Sequence, residues 1–324
     1  QEISNFENFT VGTAVTYLPW GGGRDKAIDT TATVSRNLRF KLMGSHYQSY
    51  ENERIDIINI YRLDEVETGL GEDNFDEVIG TLAYGETHLF ARNYLQAEVS
   101  HFQWRGTYLH DRYNSTGTQD HHWLKWGLGY KREVIRDKLK EWRRLDSLGF
   151  TLPHSTARLG IPEYIRTDVS LSSHRLDAFV QNTWEHQSLR HLFRLTGGVR
   201  ASYWSLNNEF LVAPRLQMYY TPLKFRNLDS DTARPTKDLT FKVAGGFYYQ
   251  PPFYRELRDL EGNVNRNVLA QKSVHALAGV VWDFVAWKRK FKFIAEAYYK
   301  HQWDLVPYDI DNVRIRYYGD NLAT

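Results

Sequence analysis

The 324-residue chain contains no cysteine. That removes disulfide frameworks, thiolate zinc sites and cysteine nucleophiles at once. It also lacks an excess of either charge: 41 Lys and Arg stand against 39 Asp and Glu, a formal net charge of +2. No whole-chain field draws it toward nucleic acid or an acidic substrate, and nucleic acid is not an expected partner. Nowhere does the sequence reach the roughly 18 consecutive apolar residues of a membrane-crossing helix. Gln1 to Thr10 has neither the basic start nor the apolar stretch of a signal peptide. There is no G-x-S-x-G elbow and no glycine-rich phosphate loop following a strand; Gly21 to Gly23 reads as a flexible loop, and Gly197-Gly198 sits inside a strand. No catalytic residue, metal or cofactor is expected, and the chain is not expected to be an enzyme.

Aromatic residues are abundant, with 10 Trp, 21 Tyr and 17 Phe in a composition that is 42% hydrophobic. That is ample for a folded chain. Their arrangement follows a period of two. Val34, Leu38, Phe40 and Leu42 alternate with Ser35, Asn37, Arg39 and Lys41, broken only at Arg36. Leu124, Trp126, Leu128 and Tyr130 alternate with Lys125, Gly127, Gly129 and Lys131. Leu176, Ala178 and Val180 continue the theme, with Phe179 on the polar side, and so do stretches 193–203, 239–249, 274–284 and 291–299. Such stripes place one face of a strand in an apolar medium and the other in water. Less regular strands are expected at about 46–63, 94–108, 209–221 and 313–319, making about eleven in all, many of them near the 9–11 residues of a tilted membrane strand. The negative mean hydropathy fits, because a barrel strand gives only alternate residues to lipid.

The connections sort by side. Links near 304–312, 251–272, 205–208, 135–173 and 64–93 fall at one end, and those near 286–290, 221–238, 186–190, 109–120 and 44–45 at the other. The longest three share the first end, as the outer loops of a bacterial barrel do. Aromatic pairs recur at strand ends (Tyr203-Trp204, Tyr219-Tyr220, Tyr248-Tyr249, Tyr298-Tyr299), where amphipathic rings form girdles at headgroup level. Between Val134 and Phe150 the residues Ile135, Leu139, Trp142, Leu145 and Leu148 have largely helical spacing, which leaves a short external helix and an extended loop arm both open.

Several clusters have plain explanations. His101, His110, His121 and His122 suit a polar lumen, and Asp309, Asp311 and Asn312 lack the glycine and spacing of a calcium loop. Glu51 and Glu53 share one strand face, which fits a lumen or an external extension as well as acid–base work.

One run of motifs carries a resemblance. It includes Leu195-Thr-Gly-Gly-Val-Arg200, Asn207-Asn208, Pro214-Arg215, Tyr220-Thr-Pro222, Gly245-Gly-Phe-Tyr-Tyr-Gln-Pro-Pro-Phe-Tyr-Arg-Glu256, Ala270-Gln-Lys-Ser-Val-His275, Glu296-Ala-Tyr-Tyr-Lys300, Pro307 to Asn312 and Tyr317 to Asn321. Upstream, Phe90 to Asn93, Trp123 to Gly127 and Glu141-Trp142 join it. In order and spacing this resembles the barrel of TonB-dependent outer-membrane receptors of the Bacteroidetes type, over roughly 50–321. The resemblance implies an all-β, antiparallel, up-and-down transmembrane barrel of 22 strands with an N-terminal plug, in the bacterial outer membrane. It implies energised uptake of a scarce ligand (an iron chelate, a glycan or a peptide). The implied partners are TonB through a plug region, the lipid bilayer and a surface lipoprotein. No plug or TonB-contact segment is recognisable, and Asn321-Leu-Ala-Thr324 lacks a terminal aromatic. Residues 1–324 are therefore expected to be a partial barrel domain, with plug and terminal strands outside this sequence. Two other readings stay open: a structural barrel in a secretion or surface assembly, and a soluble all-β carbohydrate-binding module whose stripes are buried core. On the outer side, Tyr254, Arg255 and Glu256 are the candidates for ligand contact, against the alternative that Gln250-Pro-Pro252 and Arg255 organise the loop itself.

Overall fold

The computed structural model describes residues 2–19, 25–28, 32–114, 117–146, 160–223, 227–228, 235–311 and 314–322. Apart from one short 3-10 turn at Tyr254–Leu257, the regular structure is strand. No helix among these residues is long and apolar enough to cross a membrane, which says nothing of strands. Ten strands form a single antiparallel meander: β1 (Glu2–Tyr17), β3 (Ala32–Val66), β4 (Val78–Asn114), β5 (Gln119–Asp146), β6 (Gly160–Gln187), β7 (His191–Trp204), β8 (Glu209–Pro222), β10 (Pro235–Gln250), β11 (Gln271–Ala286) and β12 (Arg289–Trp303). Two short strands flank it: β2 (Asp25–Ile28) pairs with β3 and β9 (Asn227–Leu228) with β10. A separate hairpin joins β13 (Tyr308–Asp311) to β14 (Arg314–Tyr317). The sheet is open among the described residues, with β1 and β12 each paired on one side only.

The register shows why the sequence alternates. Following hydrogen-bonded partners from strand to strand places Leu42, Trp104, Leu128, Ala178, Ala201 and Val212 on one face. The same face carries Met218, Val243, Ala278 and Ala297. With Val15 of β1 opposite Leu42, this belt crosses all ten strands, and among the described residues no second sheet covers it: Leu128 is 56% exposed, Phe293 51% and Trp282 41%. The stretch from Leu239 to Tyr249 spans about ten residue steps, roughly 25 Å of height for a strand tilted near 40°. The opposite face is polar at the same level. Asp177 accepts from Arg200 at 3.0 Å, Glu185 pairs with Arg194, and Thr183 and Thr221 bond Thr196 and Thr240. Lys242 reaches Glu296 two strands away across Gly279, where a Cβ would stand 2.8 Å from the lysine Cε. Phe179, the exception in its stripe, covers Gly127, whose absent side chain leaves room for the ring.

Several expected boundaries are corrected. No turn occurs at 44–45; Gly44 and Ser45 lie inside β3, and the connection at that end is the one between β1 and β3. The links expected at 64–93 and 135–173 are mostly strand, since β4 starts at Val78, β5 runs to Asp146 and β6 starts at Gly160. Residues 134–146 are therefore strand and not a helix, because they pair with β6 up to Arg143 and with β4 on either side of Leu139-Lys140, where the Asn93 side chain accepts from the Lys140 amide. Residues 147–150, Gly21 to Gly23 and Asn312 lie outside the described residues. At about 3.3 Å per residue, the 35 residues of β3 extend roughly 115 Å, far more than a bilayer needs.

Beyond the belt the apolar side reverses. On β5 the belt face, taken as outward, continues as Arg132, Val134, Arg136, Lys138 and Lys140 before Trp142, while on the other, inward face Ile135 and Leu139 are buried among Glu133, Asp137 and Glu141. On β6, Leu171 is buried inward while Arg166, Asp168 and Ser170 point out.

Candidate functional site

Two chain segments fold over the inward face of these extensions. The first follows β10, which stops at Pro251-Pro252 because proline donates no ladder hydrogen bond. The chain then makes the 3-10 turn Tyr254–Leu257. Glu256 is buried and organises that turn: one carboxylate oxygen accepts from the Phe253 amide at 2.8 Å and the other from the Gln271 side chain at 3.1 Å. Leu257 and Val268 then seat in an apolar cluster with Ile135, Leu171, Trp204 and Val306. The second segment is the 304–322 stretch carrying β13 and β14. Asn265 donates to the Gly319 carbonyl at 2.9 Å, and Asn321 bonds both Leu269 and Asp304. Gly319 (φ +65°) fits here because a Cβ would lie 2.7 Å from the Asp259 amide nitrogen.

Between these segments and β3 to β6 lies a cleft of about 390 Å³. Asp137 is at its centre, 3% exposed, accepting from Tyr254 Oη at 2.7 Å and from Arg258 at 2.8 Å on the same oxygen. Burial first, and then the Asp137 carboxylate, pushes the Tyr254 phenol far above its usual range, so it stays a donor. Arg255 holds both oxygens of Glu51 at 2.8 and 2.9 Å. Asn93 donates to both Glu53 (2.8 Å) and Glu141 (2.5 Å), bridging β3 and β5. Arg316 of β14 closes the rim, 3.6 Å from Glu163. The lining thus combines carboxylates, guanidinium groups, two tyrosines and several aliphatic side chains, a set suited to hydrogen-bonding a polar ligand.

Of the three residues picked out from the sequence, Tyr254 and Arg255 line this cleft and Glu256 does not; it faces the loop interior. Glu51 and Glu53 are brought to the same cleft. Asp137, Arg258 and Arg316 were missed. For Asp137 a signal existed: a carboxylate in phase with the inward-facing Ile135 and Leu139. His101 and His121 face inward and His110 and His122 outward, so the four are split between faces. Among the described residues no three His, Asp or Glu side chains converge as metal ligands would. No family model matches the chain, and neither does any curated protein.

Proposed function

We propose that this sheet is part of the wall of a bacterial outer-membrane β-barrel, and that the barrel imports a scarce ligand with energy relayed by TonB. The observation that carries this reading is the reversal of the apolar side along β5 and β6. Within the belt the outward face is apolar and the inward face charged, as lipid outside and water inside require. Past the belt the outward face turns mainly basic on β5, with an aromatic row at its far end, and the inward face packs against chain, as water outside and folded loops inside require. A soluble module, with one interior, has no reason for its strands to exchange faces. The 22-strand closure belongs to the resemblance; ten strands with two unpaired edges would leave backbone groups open to lipid, so further strands complete the wall. The cleft under segments 251–270 and 304–322 is where ligand is first held: an iron chelate, a glycan or a peptide. No covalent step is involved.

The test has two arms. Single cysteines placed along 274–284 in membrane-embedded protein should react with a water-soluble maleimide at odd positions and resist at even ones; equal reactivity would remove the membrane reading. Cells producing the protein should accumulate a labelled iron chelate, glycan or peptide, and lose that uptake when the proton-motive force is collapsed. Binding without such loss would leave a barrel that does not transport actively.

A further inference from the structure

On the outward face, beyond the belt, lies a surface that import does not use. Register pairs Arg54 with Arg92 across β3 and β4, and Lys140 with Arg166 across β5 and β6. Arg92 and Lys140 face each other between the flanking pairs Ala91–Glu141 and Tyr94–Lys138. Four cations therefore stand in one row across four strands, with neighbours roughly 5 Å apart. Like charges directly opposite destabilise a sheet, so this arrangement calls for an anion. The two central cations are engaged within the chain, Arg92 donating to the Ile55 and Ala91 carbonyls at 2.8 Å and Lys140 lying 5.9 Å from the Phe90 ring centroid, but internal acids answer little of the row. Asp56 accepts from Arg92 at 3.4 Å and Asp168 pairs with Lys138 at 3.0 Å, while Glu98 accepts from Gln96. Arg54, Arg132, Arg136 and Arg166 are exposed and have no acidic partner among the described residues.

The next row outward is aromatic. Phe90 and Trp142 stack with centroids 4.9 Å apart and planes 9° from parallel, and Tyr164 pairs with Trp142 in register. The Arg92 guanidinium lies 4.2 Å from the Phe90 ring centroid. Tyr164, 58% exposed and on the same face as Arg166, adds an open ring beside the cations; a saccharide carrying anionic groups suits this pairing, its sugar face stacking while its charges pair.

Position supplies the source. Arg132 and Arg136 lead from the belt edge at Tyr130 to the row, on the same face that meets lipid. The row is ten residues past Tyr130, roughly 25 Å in height for a strand tilted near 40°. A simple phospholipid headgroup does not reach that far, because headgroup layers add only about 5–8 Å per leaflet. A lipid-linked oligosaccharide does. We infer that the outward face of β3 to β6 binds the anionic core saccharide of an outer-leaflet glycolipid, a role that rests on the membrane reading above and is separate from the ligand cleft.

The test uses the full chain in zwitterionic detergent micelles, titrated with rough lipopolysaccharide carrying a phosphorylated core, with phosphatidylglycerol, and with a neutral glycolipid. Bound lipid is read after size-exclusion chromatography. Rough lipopolysaccharide should be retained at least tenfold better than either control. The triple substitution Arg54→Gln, Lys140→Gln, Arg166→Gln should abolish the preference, and raising salt from 0.05 to 0.5 M should weaken it in the unaltered chain. Equal retention of phosphatidylglycerol, or salt-independent retention in the unaltered chain, overturns the inference, the latter even if the variant misfolds. A chain that stays soluble without detergent fails the membrane reading instead, a distinguishable result.

Discussion

Replacing Asp137 by alanine should release the 251–270 segment from the wall. The carboxylate is buried and takes two donors on one oxygen, Tyr254 Oη and Arg258. Removing one partner of a buried pair costs about 3–5 kcal/mol. Here the Arg258 side chain keeps 25% of its exposure and regains water when freed, which brings the cost below that range, to about 2–3 kcal/mol. At about 1.4 kcal/mol per decade that is a 30- to 150-fold larger open population. Hydrogen exchange reads it directly, because the Asp259 and Asn265 amides are bonded to Asn263 and Leu257 carbonyls within the segment. Their exchange should accelerate by that factor while amides in β10 and β11 hold their rates. Glu51→Gln is the matched control: its Arg255 partner is 57% exposed, such pairs are worth less than about 1 kcal/mol, and acceleration should stay below about fivefold. Equal acceleration in the two variants, or none in Asp137→Ala, would refute the assignment of Asp137 as the anchor.

Three further outcomes follow from the same geometry. Val280→Arg, on the belt, should destabilise the protein in vesicles by about 2–4 kcal/mol, whereas Val281→Arg, on the polar face, should cost far less; chemical denaturation of the two compares them. Gly319→Ala forces a left-handed backbone and a Cβ against the Asp259 amide, a cost of about 1–3 kcal/mol; protease cleavage after Arg255 and Arg258 should quicken while the sheet's circular dichroism is unchanged. The hydrogen bond from His88 holds the Asp56 carboxyl below its ordinary value. A depressed carboxyl contributes stability above its unfolded value, near pH 3.9, and loses it as pH falls toward the folded one. Exchange at the outer ends of β3 and β4 should thus show an Asp56-dependent rise only below about pH 4, and Asp56→Asn should remove that rise.

Most of the architecture was legible because strand periodicity and loop parity are local signals. The stripes on β5 to β7 and β10 to β12, the less regular strand β8 between them, and the end at which each of their connections lies read correctly. What failed had a physical cause. Ile135 and Leu139 are four apart, a spacing that belongs to one face of a helix and equally to one face of a strand, so only the pairing partners decide. Gly44-Ser45 has turn composition, yet Gly44 simply opposes Phe102 in an uninterrupted ladder. β1 went unseen because Asn5, Glu7 and Thr13 interrupt its apolar positions. In the cleft, Tyr254 and Arg255 were visible as loop aromatics and cations. Glu256 looked equally available, but a carboxylate after Pro251-Pro252 can instead satisfy the Phe253 amide, and nothing in composition distinguishes those uses.

The reversal of faces would carry no meaning if a bulge lay between the two regimes, since one extra residue exchanges the two sides of a strand. The ladders decide this. β5 pairs with β6 residue for residue from Gln119↔Gln187 to Arg143↔Glu163, and its register shifts only after Arg143. β5 also keeps constant register with β4 from Tyr113↔Gln119 through Tyr94↔Lys138. Leu128 and Lys138 are therefore truly on one side, and Gly129 and Leu139 on the other. The strand has not turned over; its surroundings have changed. The inward face changes because segments 251–270 and 304–322 cover it; on the membrane reading proposed above, a bilayer surface near Tyr130 and Leu176 is the boundary that changes the outward one.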